Sequence, residues 1–79
     1  MFKRYYLRDL RDKHQYTCED VSEYAMISFN YYLLIEQGKR GIRMSLVTAK
    51  KIADAFKISL DEFFEYEFDY LQKHQLVQE

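Results

Sequence analysis

Apolar residues recur at helical rather than extended spacing through five stretches of this chain. Residues 2–14 place Phe2, Tyr6, Leu7 and Leu10 on one side, with His14 near the end. Residues 18–25 turn Val21, Ala25 and part of Tyr24 inward, and residues 29–37 do so with Tyr32 and Ile35. Residues 45–56 carry the most regular stripe: Leu46, Ala49, Ile52, Ala53 and Phe56. A fifth helix is predicted from Ser59, with Leu60, Phe63 and Phe64 as its inward residues. Both glycines, Gly38 and Gly41, fall between the third and fourth stretches, where a C-cap and a turn need positive φ. The pattern predicts an all-α, five-helix fold.

The starts of these helices are signalled chemically. Thr17, Ser28 and Ser59 are hydroxyl residues placed to accept a hydrogen bond from an orphaned N–H of the first turn. Glu62 completes a full capping box with Ser59, while Asp20 is a weaker substitute for that Glu after Thr17. Apolar pairs at staple spacing flank each cap: Tyr16 with Val21, Ile27 with Tyr32, and Ile58 with Phe63. Thr17 and Ser28 stand 11 residues apart, room for about two helical turns and a tight corner. A helix-turn-helix has that geometry, and its second helix can enter the major groove of DNA.

At 79 residues the chain is expected to be one domain, 1–79, with a core over about 4–65 and a helical C-terminal extension over 66–79. A domain this small buries little surface alone, which points to oligomerisation. The chain has no proline, two glycines and mixed charged and apolar residues, a composition of a folded rather than a disordered chain. The single Cys18 excludes an intramolecular disulfide and offers no metal cluster. No apolar run approaches the roughly 20 residues of a membrane span, and no secretory leader opens the chain. The expected compartment is the cytoplasm of a bacterium or its phage.

Net charge is −1, but the charges are segregated. Six cations (Lys39, Arg40, Arg43, Lys50, Lys51, Lys57) stand against Asp54 over residues 39–57. From Ile58 onward six anions stand against Lys73. Local field rather than net charge therefore steers binding.

Five blocks in register resemble the XRE or Cro-type helix-turn-helix family, the lambda-repressor-like five-helix DNA-binding domains of phage repressors and related bacterial regulators. They are Leu7-x-x-Leu10-Arg11, Tyr16-Thr17-x-Glu19-Asp20-Val21-Ser22, Ile27-Ser28 with Ile35-Glu36-x-Gly38-Lys39-Arg40, Ile52-Ala53-x-Ala55-Phe56, and Ile58-Ser59-Leu60-Asp61-Glu62-Phe63-Phe64. The resemblance covers roughly residues 4–65. It implies a buried ion pair between Arg11 and Glu36, and at Ser22 a small residue that lets two helices approach. It also implies phosphate contacts from Thr17, Cys18 and Ser28 at the helix starts and from Lys39, Arg40 and Arg43 in the loop after the recognition helix. Helix N-termini suit an anion because orphan N–H donors and the helix dipole both favour it.

The chain departs from the family pattern in three places. Cys18 replaces a Gln that commonly holds a phosphate, and Met26 stands in the turn where Gly is common. The recognition helix has Phe29, Asn30, Leu33 and Leu34 outward, with Tyr31 at the border, where relatives carry Gln, Arg, Ser or Thr. The Asn30 amide can pair in bidentate fashion with adenine, while Phe29, Tyr31 and Leu34 can pack on thymine methyls. These residues point to an A/T-rich half-site.

The expected function is sequence-specific binding of double-stranded DNA by a transcriptional regulator, a phage or mobile-element repressor acting as a homodimer on a palindromic operator. A chain of this length leaves no room for an effector domain, so occupancy alone would act. Phe64, Phe68 and Leu71, flanked by Phe63 and Tyr70, form the expected dimer surface; otherwise this stripe folds back onto the chain's own core. The alternative function is a protein-interaction module that uses the apolar third-helix face (Phe29, Tyr31, Leu33, Leu34) to bind a partner. Enzymatic chemistry is not expected. His14 and His74 have no ligand spacing, the acids of the last helix read as a solvated face, and no phosphate loop or nucleophile elbow occurs. No cofactor, metal, membrane or small-molecule ligand is implied.

Overall fold

The computed structural model describes residues 2–75, which form five helices and, among those residues, no strand. They are α1 (Tyr5–His14), α2 (Cys18–Ala25), α3 (Phe29–Glu36), α4 (Leu46–Ala55) and α5 (Leu60–Lys73). Their stripes meet in one core of Leu7, Leu10, Val21, Ala25, Tyr32, Ile35, Ala49, Ile52, Ala53, Ala55, Phe56 and Phe63. Each of these positions leaves water because its helix turns one apolar face toward its neighbours.

The helix starts show why the sequence breaks where it does. The Thr17 hydroxyl accepts from the Asp20 N–H at 3.0 Å while the Asp20 carboxylate accepts from the Thr17 N–H at 2.9 Å, a complete capping box. Ser28, Ser45 and Ser59 accept from the N–H groups of Tyr31, Thr48 and Glu62. The box expected at Ser59 is only half formed, because the Glu62 carboxylate instead accepts from the Tyr66 hydroxyl. The corner between α2 and α3 is made by Met26 at φ 57°, a left-handed conformation in a residue with a side chain. That conformation costs roughly 1–2 kcal/mol relative to an unstrained residue. Met26 donates its N–H to Glu23, and Ile27 to Ser22, which closes the helix end.

Five expectations are corrected. Phe2 lies outside α1, with its ring stacked on His74 at 4.2 Å, because Arg4 leaves helical geometry at the N-cap. Tyr24 is exposed, its ring tilted against Tyr16. Leu46 is 63% exposed, since it sits at the edge of the α4 stripe in the first turn while Ala49, Ile52, Ala53 and Phe56 carry the core contact. Phe64 does not turn inward: it is 42% exposed, and the inward register of α5 is Phe63, Glu67 and Tyr70. Glu67 thereby leaves the solvated acidic face to which the sequence reading assigned it. Helix α5 continues through positions 66–73 without a break, so the expected extension begins inside a helix that is already packed. Residues 76–79 of that extension lie outside the described residues.

Candidate nucleic-acid interface

Helix α3 is held from behind. Tyr32 and Ile35 are fully buried, and Tyr31 packs at the core's border. Its opposite side carries Phe29, which is 48% exposed, the exposed Asn30, and the half-buried Leu33 and Leu34. The structure thus brings Phe29, Asn30, Tyr31 and Leu34 onto one short helix, with the first two most open to solvent.

The two helix starts differ in what they offer an anion. The Thr17 hydroxyl accepts from the Asp20 N–H and the Thr17 N–H donates to the Asp20 carboxylate, which leaves as donors the hydroxyl's own proton and the N–H groups of Cys18 and Glu19. The Ser28 hydroxyl likewise accepts from the Tyr31 N–H, which leaves its own proton and the N–H groups of Phe29 and Asn30. The Cys18 side chain is turned the other way from the expected phosphate contact. Its thiol donates to Glu36 Oε2 at 2.9 Å, and Glu36 Oε1 accepts from Arg11 Nε at 2.8 Å. Burial, then the neighbouring Glu36 carboxylate, pushes the Cys18 thiol up to about 11. It is therefore a neutral donor in a three-residue network that ties α1, the start of α2 and the end of α3. The Tyr32 hydroxyl is buried and makes no hydrogen bond among the described residues, and burial holds its phenol well above the ordinary range.

The loop between α3 and α4 exposes Lys39, Arg40 and Arg43, none of which forms an ion pair among the described residues. Its backbone is not free. The N–H of Gly38 donates to Ile35 and those of Lys39 and Arg40 donate to Leu34, so this loop offers a ligand its cations rather than those amides. Gly38 and Gly41 take φ 78° and 96°, as their positions after a helix require.

The profile of the Helix-turn-helix family matches residues 7–63, most of the chain. The chain belongs to the XRE-type helix-turn-helix family. As such it is a DNA-binding transcriptional regulator, and α2 and α3 are its helix-turn-helix pair. No curated protein and no solved structure matches the chain significantly. No helix among the described residues is long and apolar enough to cross a membrane.

This XRE-type domain has two features that the sequence pattern did not disclose. Between α1 and the C-terminal half of α3, a cleft of about 260 Å³ is lined by Lys3, Arg8, Arg11, Leu33 and Gln37 among others. The exposed Lys3 and Arg8 thus place two further cations beside the C-terminal half of α3. The only signal in the sequence was that Arg8 and Arg11, three positions apart, lie on one side of α1. The second feature is Arg4, which has 0% exposure and pairs with Glu67. Nothing local in the sequence marks it, because its partners come from α3, the loop and α5.

Proposed function

We propose that this chain is a repressor that occupies a palindromic, A/T-rich operator as a homodimer, of the kind carried by phages and mobile elements. The observation that carries the reading is the setting of α3: Phe29 and Asn30 stand open to solvent on its outward face, and Lys39, Arg40 and Arg43 follow it in the loop, exposed and in no ion pair among the described residues. Lys39, Arg40 and Arg43, with the Cys18 and Phe29 amides and the exposed Lys3 and Arg8, supply the phosphate contacts. Asn30 reads adenine, and Phe29, Tyr31 and Leu34 cover thymine methyls. Each good contact contributes roughly 1–3 kcal/mol of discrimination. Phe64, Phe68 and the half-buried Leu71 supply the dimer face, with Phe64 and Phe68 open to solvent along one flank of α5. A two-fold axis there sets the α3 helices about 34 Å apart, one turn of duplex.

Selection of binding sites from random duplex DNA tests the proposal. The expected outcome is an inverted repeat rich in A/T. Failure to retain any duplex at low salt overturns the reading.

One observation favours a second reading, in which the α3 face binds a protein. Tyr24, Met26 and Phe29 are all exposed around the start of α3, and exposed apolar residues gathered in one place mark an interface. Salt separates the two readings. A duplex complex weakens steeply as salt rises, by about 0.9 in log–log slope per phosphate contacted, whereas an apolar protein interface is nearly indifferent to salt.

A further inference from the structure

Arg4 is the bulkiest of the fully buried side chains, and it is a cation. Its Nε–H and Nη2–H donate to the two carboxylate oxygens of Glu67, each at 2.8 Å. Its Nη1 donates to the carbonyl oxygens of Ile35 at 2.7 Å and Arg40 at 2.8 Å. The guanidinium lies over the Tyr70 ring, 4.6 Å from its centre, and the Tyr6 hydroxyl donates to the same Glu67 carboxylate. The fork of an arginine matches both partners at once, which the single ammonium of a lysine cannot do.

The backbone around Arg4 is equally committed to the loop. Its own N–H donates to the Glu36 carbonyl at 2.8 Å. The Tyr70 hydroxyl donates to the Phe2 carbonyl. A Cβ on Gly38 would stand 1.9 Å from that same Phe2 carbonyl, and one on Gly41 would stand 3.3 Å from Arg4 Nη2. Segment 2–4 therefore lies across the α3–α4 loop, and both loop glycines sit against it.

We infer that Arg4 is the positioning residue of the cationic loop. Glu67 fixes one edge of its guanidinium to α5, and the other edge fixes the Ile35 and Arg40 carbonyls, so Lys39, Arg40 and Arg43 meet the duplex already ordered. A loop ordered before contact loses less conformational entropy on binding. The inference rests on the reading of that loop as a contact to the DNA backbone.

The test compares wild type, Arg4→Lys, Arg43→Ala and Arg4→Lys/Arg43→Ala, all in the full chain, on random duplex over a series of salt concentrations. Circular dichroism confirms that each is folded at the binding temperature. Arg43→Ala is expected to weaken wild-type binding about 10-fold at low salt and to lower the salt slope by about 0.9. In the Arg4→Lys background the same change is expected to cost less than about 3-fold, because the cation is no longer held in place. Exchange of the Lys39 and Arg40 amides is expected to quicken by about 10-fold or more in Arg4→Lys while core amides such as Ile52 hold their protection. An equal Arg43→Ala penalty in both backgrounds overturns the inference, since a purely structural role leaves that increment untouched. If Arg4→Lys fails to fold, Glu67→Gln carries the same comparison. If wild type binds no duplex, the DNA reading fails by itself and loop exchange in Glu67→Gln then decides: faster exchange supports the strap and unchanged exchange overturns it.

Discussion

Arg4, in the segment before α1, and Glu67, in α5, are 63 positions apart and joined by two parallel hydrogen bonds of 2.8 Å. Arg4 is wholly buried and Glu67 nearly so, which makes the pair a geometric lock more than a source of net stability. Glu67→Ala strands the guanidinium charge and is expected to cost about 3–5 kcal/mol. The double change Arg4→Met/Glu67→Leu is expected to cost less than either single truncation. Urea denaturation of Glu67→Ala, Arg4→Met and the double variant checks this. A Glu67→Ala loss under about 1 kcal/mol would mean that water reaches the pair.

The Cys18 thiol gives the domain an alkaline sensitivity. Its pKa in the folded chain rises from the ordinary 9 to about 11, so between these values the folded state holds a proton that the unfolded state has released. The stabilisation is complete below about pH 9 and drains away as pH climbs through 11. Tyr6 and Tyr32, also pushed upward by burial, add to the loss at higher pH. Unfolding free energies from pH 8 to 11 are expected to fall less steeply in Cys18→Ala than in wild type. Identical slopes would rule out the half-buried thiol as a contributor. At pH 8 the thiol is also expected to alkylate more slowly than a free cysteine.

Two turn positions should respond oppositely to substitution. Met26 is left-handed and mostly solvent-exposed, so Met26→Gly relieves strain with little lost contact. It is expected to be stabilising by about 0.5–1 kcal/mol. Gly38→Ala drives a methyl to within 1.9 Å of the Phe2 carbonyl at positive φ, and is expected to lower the thermal midpoint clearly. A neutral Gly38→Ala would show that segment 2–4 yields easily.

On DNA, Asn30→Ala and Arg43→Ala should fail in different ways. Loss of the Asn30 amide is expected to weaken the selected site about 10- to 100-fold while leaving random duplex nearly unaffected. Loss of Arg43 is expected to weaken both alike and flatten the salt dependence. Equal damage by Asn30→Ala to selected and random duplex would remove it from the base-reading set.

Phe68 is 53% exposed on the flank of α5, and Phe68→Glu places a charge at the centre of the proposed dimer face. Sedimentation equilibrium is expected to show a monomer for the variant where wild type dimerises, together with loss of affinity for the two-half-site duplex. A variant that still dimerises would exclude this face.

The five helices were legible in the chain because their information is local. Thr17, Ser28 and Ser59 each cap a helix whose apolar period can be counted from the next residue onward, and α2 begins and ends where that count places it. The core list followed from the same period, failing at Phe2, which precedes α1, and at Tyr24, Leu46 and Phe64, where a residue at the edge of a stripe is buried or exposed according to which neighbour reaches it. The family was legible too, since its spacing is a record of the same helices.

What the sequence by itself determined is therefore the set of helices, their order and the helix-turn-helix pair they contain, because capping and periodicity act within about a turn of the chain. What only the tertiary structure decided is where the charges go. Cys18 turned to Glu36 rather than outward, Glu67 left the acidic face, and Arg4 entered the interior. A charged group is buried only where partners from distant elements converge on it, and no local pattern records that convergence.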